Sequence, residues 1–189
     1  MIGGGIAGGW KNPALYKRFV LKGNGTESAS ASSAGTKNIL RNPEFADHGK
    51  FWKIRFSKIE ESIQEENGGK VVKMELHQLP NICANILSQY VPKPKGGVYV
   101  YSVGILPSRK LFNALHVSVM YRDDNGKSVN QTVRMRHADY PEQGKWGKII
   151  GEIKIPEGRK SLGFNVYFRD PKPDGFLLIR NPEMSLREE

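Results

Sequence analysis

The stretch Asn113–Arg136 reads NALHVSVMYRDDNGKSVNQTVRMR, and its alternation decides the fold class. In Asn113–Arg122, Leu115, Val117, Val119 and Tyr121 face one way while His116 and Ser118 face the other. In Ser128–Arg136, Val129, Val133 and Met135 share a face opposite Asn130, Thr132, Arg134 and Arg136. A period of two with one apolar and one polar side describes strands that are wet on one face. Asp123-Asp124-Asn125-Gly126 between the two runs is a turn signal, so the pair is read as a β-hairpin.

Working outward, the same texture fills the chain from Asn38 on. Further strand candidates are Phe51–Ser57, Val71–Leu76, Ile86–Val91, Gly97–Leu106, Lys148–Ile155, Ser161–Arg169 and Gly175–Leu186. One short helix is possible at Lys58–Glu66, ending at Gly68-Gly69. Many short strands with turn punctuation and little helix predict an all-β sandwich. The chain has 189 residues, 38% of them hydrophobic, which suits one sizeable core plus an appendage. No apolar run approaches the twenty residues that a spanning helix needs, so no membrane partner is expected.

The appendage lies at the N-terminus. Residues 1–10 read MIGGGIAGGW, which lacks the basic start and unbroken apolar core of a secretory signal, so synthesis in the cytoplasm is expected. Residues 11–22, KNPALYKRFVLK, could form a strand or a helical turn, and 23–37 is a Gly/Ser/Ala linker. Fixing such a chain costs on the order of 1–2 kcal/mol of backbone entropy per residue. Contacts with neighbouring subunits could offset that cost. The docking anchors would be Ile2, Ile6, Trp10, Leu15, Tyr16, Phe19 and Leu21, with Lys17 and Arg18 facing acidic surface. The expected organisation is therefore 1–22 docking arm, 23–37 linker and 38–189 sandwich.

The opening of the sandwich carries a family likeness. Asn38-Ile39-Leu40-Arg41-Asn42-Pro43-Glu44-Phe45 followed by Trp52 resembles the start of carbohydrate-binding modules of the family 4, 9 and 22 type. Ser88-Gln89-Tyr90-Val91 with Tyr99–Ser102, Trp146 with Gly151–Pro156, and Gly175–Ile179 with Met184-Ser185-Leu186 are similar to that family's later blocks, in the same order. The resemblance implies a galactose-binding-like jelly roll of two antiparallel sheets. It also implies a structural calcium, whose acidic positions are here Ala46, Arg180 and Asn181. An arginine opposes a hard cation, so the calcium site is expected to be lost and no cofactor or metal is assigned.

A sugar site needs exposed rings beside hydrogen-bonding groups. The polar strand faces offer His116, Arg134, Arg136, Asn165, Tyr167 and Arg169, with Tyr167 as the one ring. The plain alternative for this set is a solvated sheet face or a subunit contact. Tyr99 and Tyr101 share a face with Val103 and Ile105 and are assigned to the core, and Trp52 and Trp146 are expected to pack structurally. None of His48, His77, His116 and His137 lies in a metal-binding or nucleophile motif, and Cys83 is single, so no catalytic constellation is found and no enzyme is expected. The net charge of +10 favours acidic partners, but basic residues are scattered, which makes nucleic acid a minor alternative. The expectation that unites these features is a virion protein, a capsid, collar or tail component. It would be held by its arm, oligomeric, and able to touch host-surface glycans. A carbohydrate-binding module of a secreted glycoside hydrolase is the competing reading.

Overall fold

The computed structural model describes residues 19–21, 37–54, 59–78, 84–108, 115–135, 141–168 and 174–187. In chain order the elements are β1 (Phe19–Leu21), α1 (Ile59–Ser62), β2 (Ile63–Glu66), β3 (Gly69–Glu75), a 3-10 turn (Leu76–Gln78), β4 (Ala84–Pro92) and β5 (Gly97–Pro107). They continue with β6 (Leu115–Arg122), β7 (Ser128–Met135), β8 (Gly147–Ile155), β9 (Ser161–Phe168) and β10 (Phe176–Leu186). A six-stranded sheet runs β1-β8-β5-β10-β3-β2 and a four-stranded sheet runs β4-β9-β6-β7. Every pairing between them is antiparallel, so the chain is the expected β-sandwich of two antiparallel sheets.

The core lies between the sheets and follows the period of two. Tyr99, Tyr101, Val103 and Ile105 enter from β5, Ile149, Ile153 and Ile155 from β8, and Leu177, Ile179 and Met184 from β10. Leu115, Val117 and Val119 of β6 meet them with Leu162, Phe164 and Val166 of β9. Tyr101 and Phe164 pack edge to face across the gap at 6.5 Å, and Trp52 meets Phe164 at 6.1 Å. Such aromatic contacts add to simple burial because the ring edge is positive and the face negative.

The opening block works as a plug rather than a strand. Asn38 Oδ1 accepts the amides of Leu40 and Met184, and its Nδ2 donates to the Pro182 carbonyl, which ties the start of the sandwich to its last strand. The buried amide of Gln89 exchanges two hydrogen bonds with the Arg41 backbone, at 2.7 and 2.9 Å. Asn42 Oδ1 accepts the Ala46 amide, and the Asn42 carbonyl accepts Trp52 Nε1. Phe45 and Trp52 are thereby driven into the core. These turns correct the strand expected at Phe51–Ser57: Phe51 sits in a turn at φ 76°, and pairing in its described part is the single bridge Lys53↔Ser88.

The helix expected at Lys58–Glu66 is likewise shorter. It occupies Ile59–Ser62, and Ile63–Glu66 is a strand in register with Val72–Gly69 of β3. Asn67 and Gly68, both at positive φ, form the tight turn that makes this hairpin. The β6–β7 hairpin matches expectation: Gly126 has φ 75° and donates to the Asp123 carbonyl, while Asp123 Oδ1 accepts the amides of Asn125 and Lys127. Arg159 grips Asp124 with two hydrogen bonds at 2.7 and 3.1 Å, and this holds the Asp124 carboxyl below its ordinary range.

Within the expected arm, Phe19 and Leu21 belong to β1, which pairs with β8 of the same chain in the register Phe19↔Ile150, Val20↔Ile149 and Leu21↔Lys148. The backbone at these positions is thus engaged by the chain's own sandwich. Ile2, Ile6, Trp10, Leu15, Tyr16, Lys17 and Arg18 lie outside the described residues.

Candidate functional site

The outer face of the four-stranded sheet gathers the sequence-expected polar residues. Its cross-strand rows follow from register. One row runs Tyr90, Gly163, Met120, Asn130, and the next Ser88, Asn165, Ser118, Thr132. The third carries Tyr167, His116 and Arg134. Register therefore places the expected residues His116, Asn165 and Tyr167 on one surface and sets the Arg134 backbone beside His116, while Arg136 and Arg169 lie outside the described residues.

This surface is not a uniformly solvated sheet face. His116 is 8% exposed, Ser118 5% and Asn165 3%, so its centre is a buried polar floor. The His116 ring stacks on Tyr167 with centroids 4.6 Å apart. At the other end Tyr90 is 58% exposed. A Cβ at Gly163 would lie 3.0 Å from Met120 Cγ, 3.1 Å from Tyr90 Cε1 and 3.4 Å from Asn165 Nδ2, so the missing side chain is what lets these groups close over the strand. Two tyrosine rings thus stand on one face with hydroxyl and amide groups between them.

Tyr90 is absent from the sequence-expected set, and a β-bulge explains why. Register shifts between Asn85 and Leu87, so Ile86 and Leu87 are both fully buried. Simple alternation from Ile86 would place Ser88 and Tyr90 inside; the bulge turns Leu87 and Gln89 inward and sends Tyr90 out. The other exposed large apolar side chain among the described residues, Phe51, lies beneath Arg41 and Lys50 at 5.1 and 5.6 Å.

The positions that the resemblance associates with calcium lie elsewhere, and two of them hold or meet a cationic group. Lys70 Nζ donates to the Ala46 carbonyl at 3.0 Å. Arg180 sits 3.9 Å over the Trp146 ring, where burial lowers its pKa, and Asn181 occupies a β10 bulge at φ 45°. An ammonium on the carbonyl and a guanidinium at the closing position do not fit a divalent cation. Trp146 packs with Val71, Leu106, Leu178 and Phe176 on the outer face of the six-stranded sheet, a structural role as expected.

No protein family and no curated relative matches the chain. Solved structures do. The chain is similar to a family 16 carbohydrate-binding module at 16% identity and TM-score 0.54, covering 78% of this chain and 99% of that one. It is similar to the CBM22-1 xylan-binding domain of Paenibacillus barcinonensis Xyn10C at 14% identity and TM-score 0.54, covering 82% and 97%. It also matches the enzymatically active domain of tailspike protein 4 of bacteriophage CBA120, at 13% identity and TM-score 0.52, over 79% of this chain but 21% of that one. At these identities the likeness is one of fold, and that fold is the β-sandwich of carbohydrate-binding modules.

Proposed function

We propose that the chain is a non-catalytic glycan-binding module whose binding surface is the outer face of β4, β9, β6 and β7. The observation that carries this reading is the pairing of Tyr90 and Tyr167 on one face around the buried polar groups of Ser118, Asn165 and His116. Sugar rings present apolar C–H faces that stack on aromatic rings, and hydroxyls that need fixed polar partners. The face offers both, and the fold it stands on is one that carbohydrate-binding modules use.

In this proposal the module is displayed on a virus particle. The arm, with Ile2, Ile6, Trp10, Leu15, Tyr16, Lys17 and Arg18, would dock on other virion proteins or on neighbouring copies, and 23–37 would span the gap. The bacteriophage tailspike neighbour supports that setting. A module of a secreted glycoside hydrolase is the second reading, supported by the carbohydrate-binding-module neighbours.

The test is affinity electrophoresis of the full chain against a panel of soluble polysaccharides. Tyr90→Ala and Tyr167→Ala are each expected to weaken binding about tenfold, the equivalent of about 1.4 kcal/mol. Retained affinity in both variants would move the site off this face. Incorporation of the full chain, but not of a chain starting at Asn38, into particles would support the virion setting. Equal behaviour of the two would favour the hydrolase module.

A further inference from the structure

The outer face of the four-stranded sheet has a contributor from outside its own strands, Lys53 of the opening block. The Lys53 backbone exchanges two hydrogen bonds with Ser88 of β4, each 2.9 Å, at the isolated bridge Lys53↔Ser88. Directly opposed residues of an antiparallel pair project to the same face. Ser88 faces outward because Leu87 and Gln89 on either side of it are buried, and Lys53 faces outward with it, between buried Trp52 and core-packed Ile54. Lys53 is exposed, and its ammonium makes no hydrogen bond or ion pair among the described residues.

The middle row of the face thereby lengthens to Lys53, Ser88, Asn165, Ser118 and Thr132, four strand spacings or about 19 Å at ~4.8 Å each. Bulkier side chains stand in the rows on both sides, Tyr90 and Met120 in one and Tyr167 and His116 in the other. Short polar side chains thus run across the strands between larger ones, with Lys53 at the β4 end. Tyr90, two residues beyond Ser88, is the diagonal neighbour of Lys53; such pairs lie about 7–8 Å apart, within reach of long and aromatic side chains. Phe51, two residues before Lys53, lies at the same end of the pair, so this edge carries both exposed large apolar side chains among the described residues.

A sugar stacked on Tyr90 turns its apolar face to the ring and leaves its oxygens around the rim. An ammonium on a long stem offers three donors and no acceptor, which matches oxygens at that rim. We infer that Lys53 is a contact residue of the glycan face: it donates to the sugar that stacks on Tyr90, and the glycan leaves the sheet over the β4 edge. This rests on the glycan-binding reading above and extends it to a residue outside the four strands. The other side chains of the row, Ser88, Asn165, Ser118 and Thr132, are uncharged, so the ligand is a neutral polysaccharide.

The experiment is affinity electrophoresis of the full chain on xylan, β-glucan, glucomannan and galactan, with Lys53→Met, Tyr90→Ala and the double variant. On the polysaccharide that retards the parent most, Lys53→Met should weaken binding about fivefold and leave the melting temperature in place. Lys53→Arg keeps donors at the position and should retain most of the affinity. Lys154→Gln, at an exposed lysine of β8 on the other sheet, should bind as the parent does. Two side chains that meet one sugar are coupled, so Lys53→Met should cost less than about twofold once Tyr90 is already alanine. Parent-like binding by Lys53→Met, with Tyr90→Ala weakened, overturns the inference and leaves the glycan-binding reading standing. Additive losses in the double variant would separate Lys53 from the stacked sugar and overturn it as well. An equal loss in Lys154→Gln would assign the effect to net charge, and a matching fall in melting temperature would assign it to packing; either overturns the inference, as does binding to none of the four polysaccharides.

Discussion

Asn38 and Gly163 show how single side chains, or the lack of one, set the site and its support. Asn38 makes three hydrogen bonds that join the first turn of the sandwich to Pro182 and Met184. Asn38→Ala removes them and leaves the Met184 amide short of an acceptor, so a loss of about 2 kcal/mol is expected, read from the urea midpoint. Gly163→Ala acts differently. The new methyl would press on Met120 and Tyr90 at 3.0 and 3.1 Å, and both can give way because they are side chains. Affinity for glycan should therefore fall severalfold while the thermal midpoint moves little. An equal fall in stability would mean that Gly163 serves packing rather than the binding face. Both residues lie in stretches singled out in the sequence, Asn38 by its motif and Gly163 within a strand, yet what each does depends on partners far along the chain.

Elements carry the next layer of prediction. The β6–β7 hairpin is pinned by Arg159 on Asp124, whose carboxyl is held below its ordinary value. A lowered carboxyl contributes stability above its unfolded pKa, and that contribution disappears as pH falls through the folded value. Asp124→Asn should thus lower the denaturant midpoint slightly at pH 7, with the difference from the parent vanishing at strongly acid pH. A second prediction concerns β1, which covers Lys148, Ile149 and Ile150 at the edge of β8. A chain starting at Asn38 should keep its β-sheet circular dichroism, since nine of the ten described strands and the described core cluster are built from residues after it. The β8 amides facing β1 should exchange faster in that chain. Strands with clean alternation, such as β6, were legible to within about two residues. The segments 51–54 and 63–66 were not, because turns at Phe51 and at Asn67-Gly68 redirect chains whose composition suits more than one structure.

At the scale of the whole molecule, Phe164 joins three parts: the four-stranded sheet that bears it, the opening plug through Trp52, and the six-stranded sheet through Tyr101. Phe164→Ala empties a site that is fully buried, and a loss of about 3–5 kcal/mol is expected in chemical denaturation. Because Val166 and Leu162 flank it on the same strand, the neighbouring outer residues Asn165 and Gly163 should shift with it, and glycan affinity should fall together with stability. The core thereby serves the proposed binding face: the inward half of each strand positions the outward half.

The sequence by itself determined the sandwich, its antiparallel hairpin and the inward faces of β5 and β6, because a period of two in side-chain chemistry leaves few ways to bury the apolar half. It also determined that the resembled calcium positions hold Ala46, Arg180 and Asn181. Only the tertiary structure decided which polar residues meet. His116, Asn165 and Tyr167 became one surface through the β4-β9-β6-β7 order, a long-range pairing that no local pattern encodes. Tyr90 joined them through a one-residue bulge, whose extra residue inverts every side chain after it.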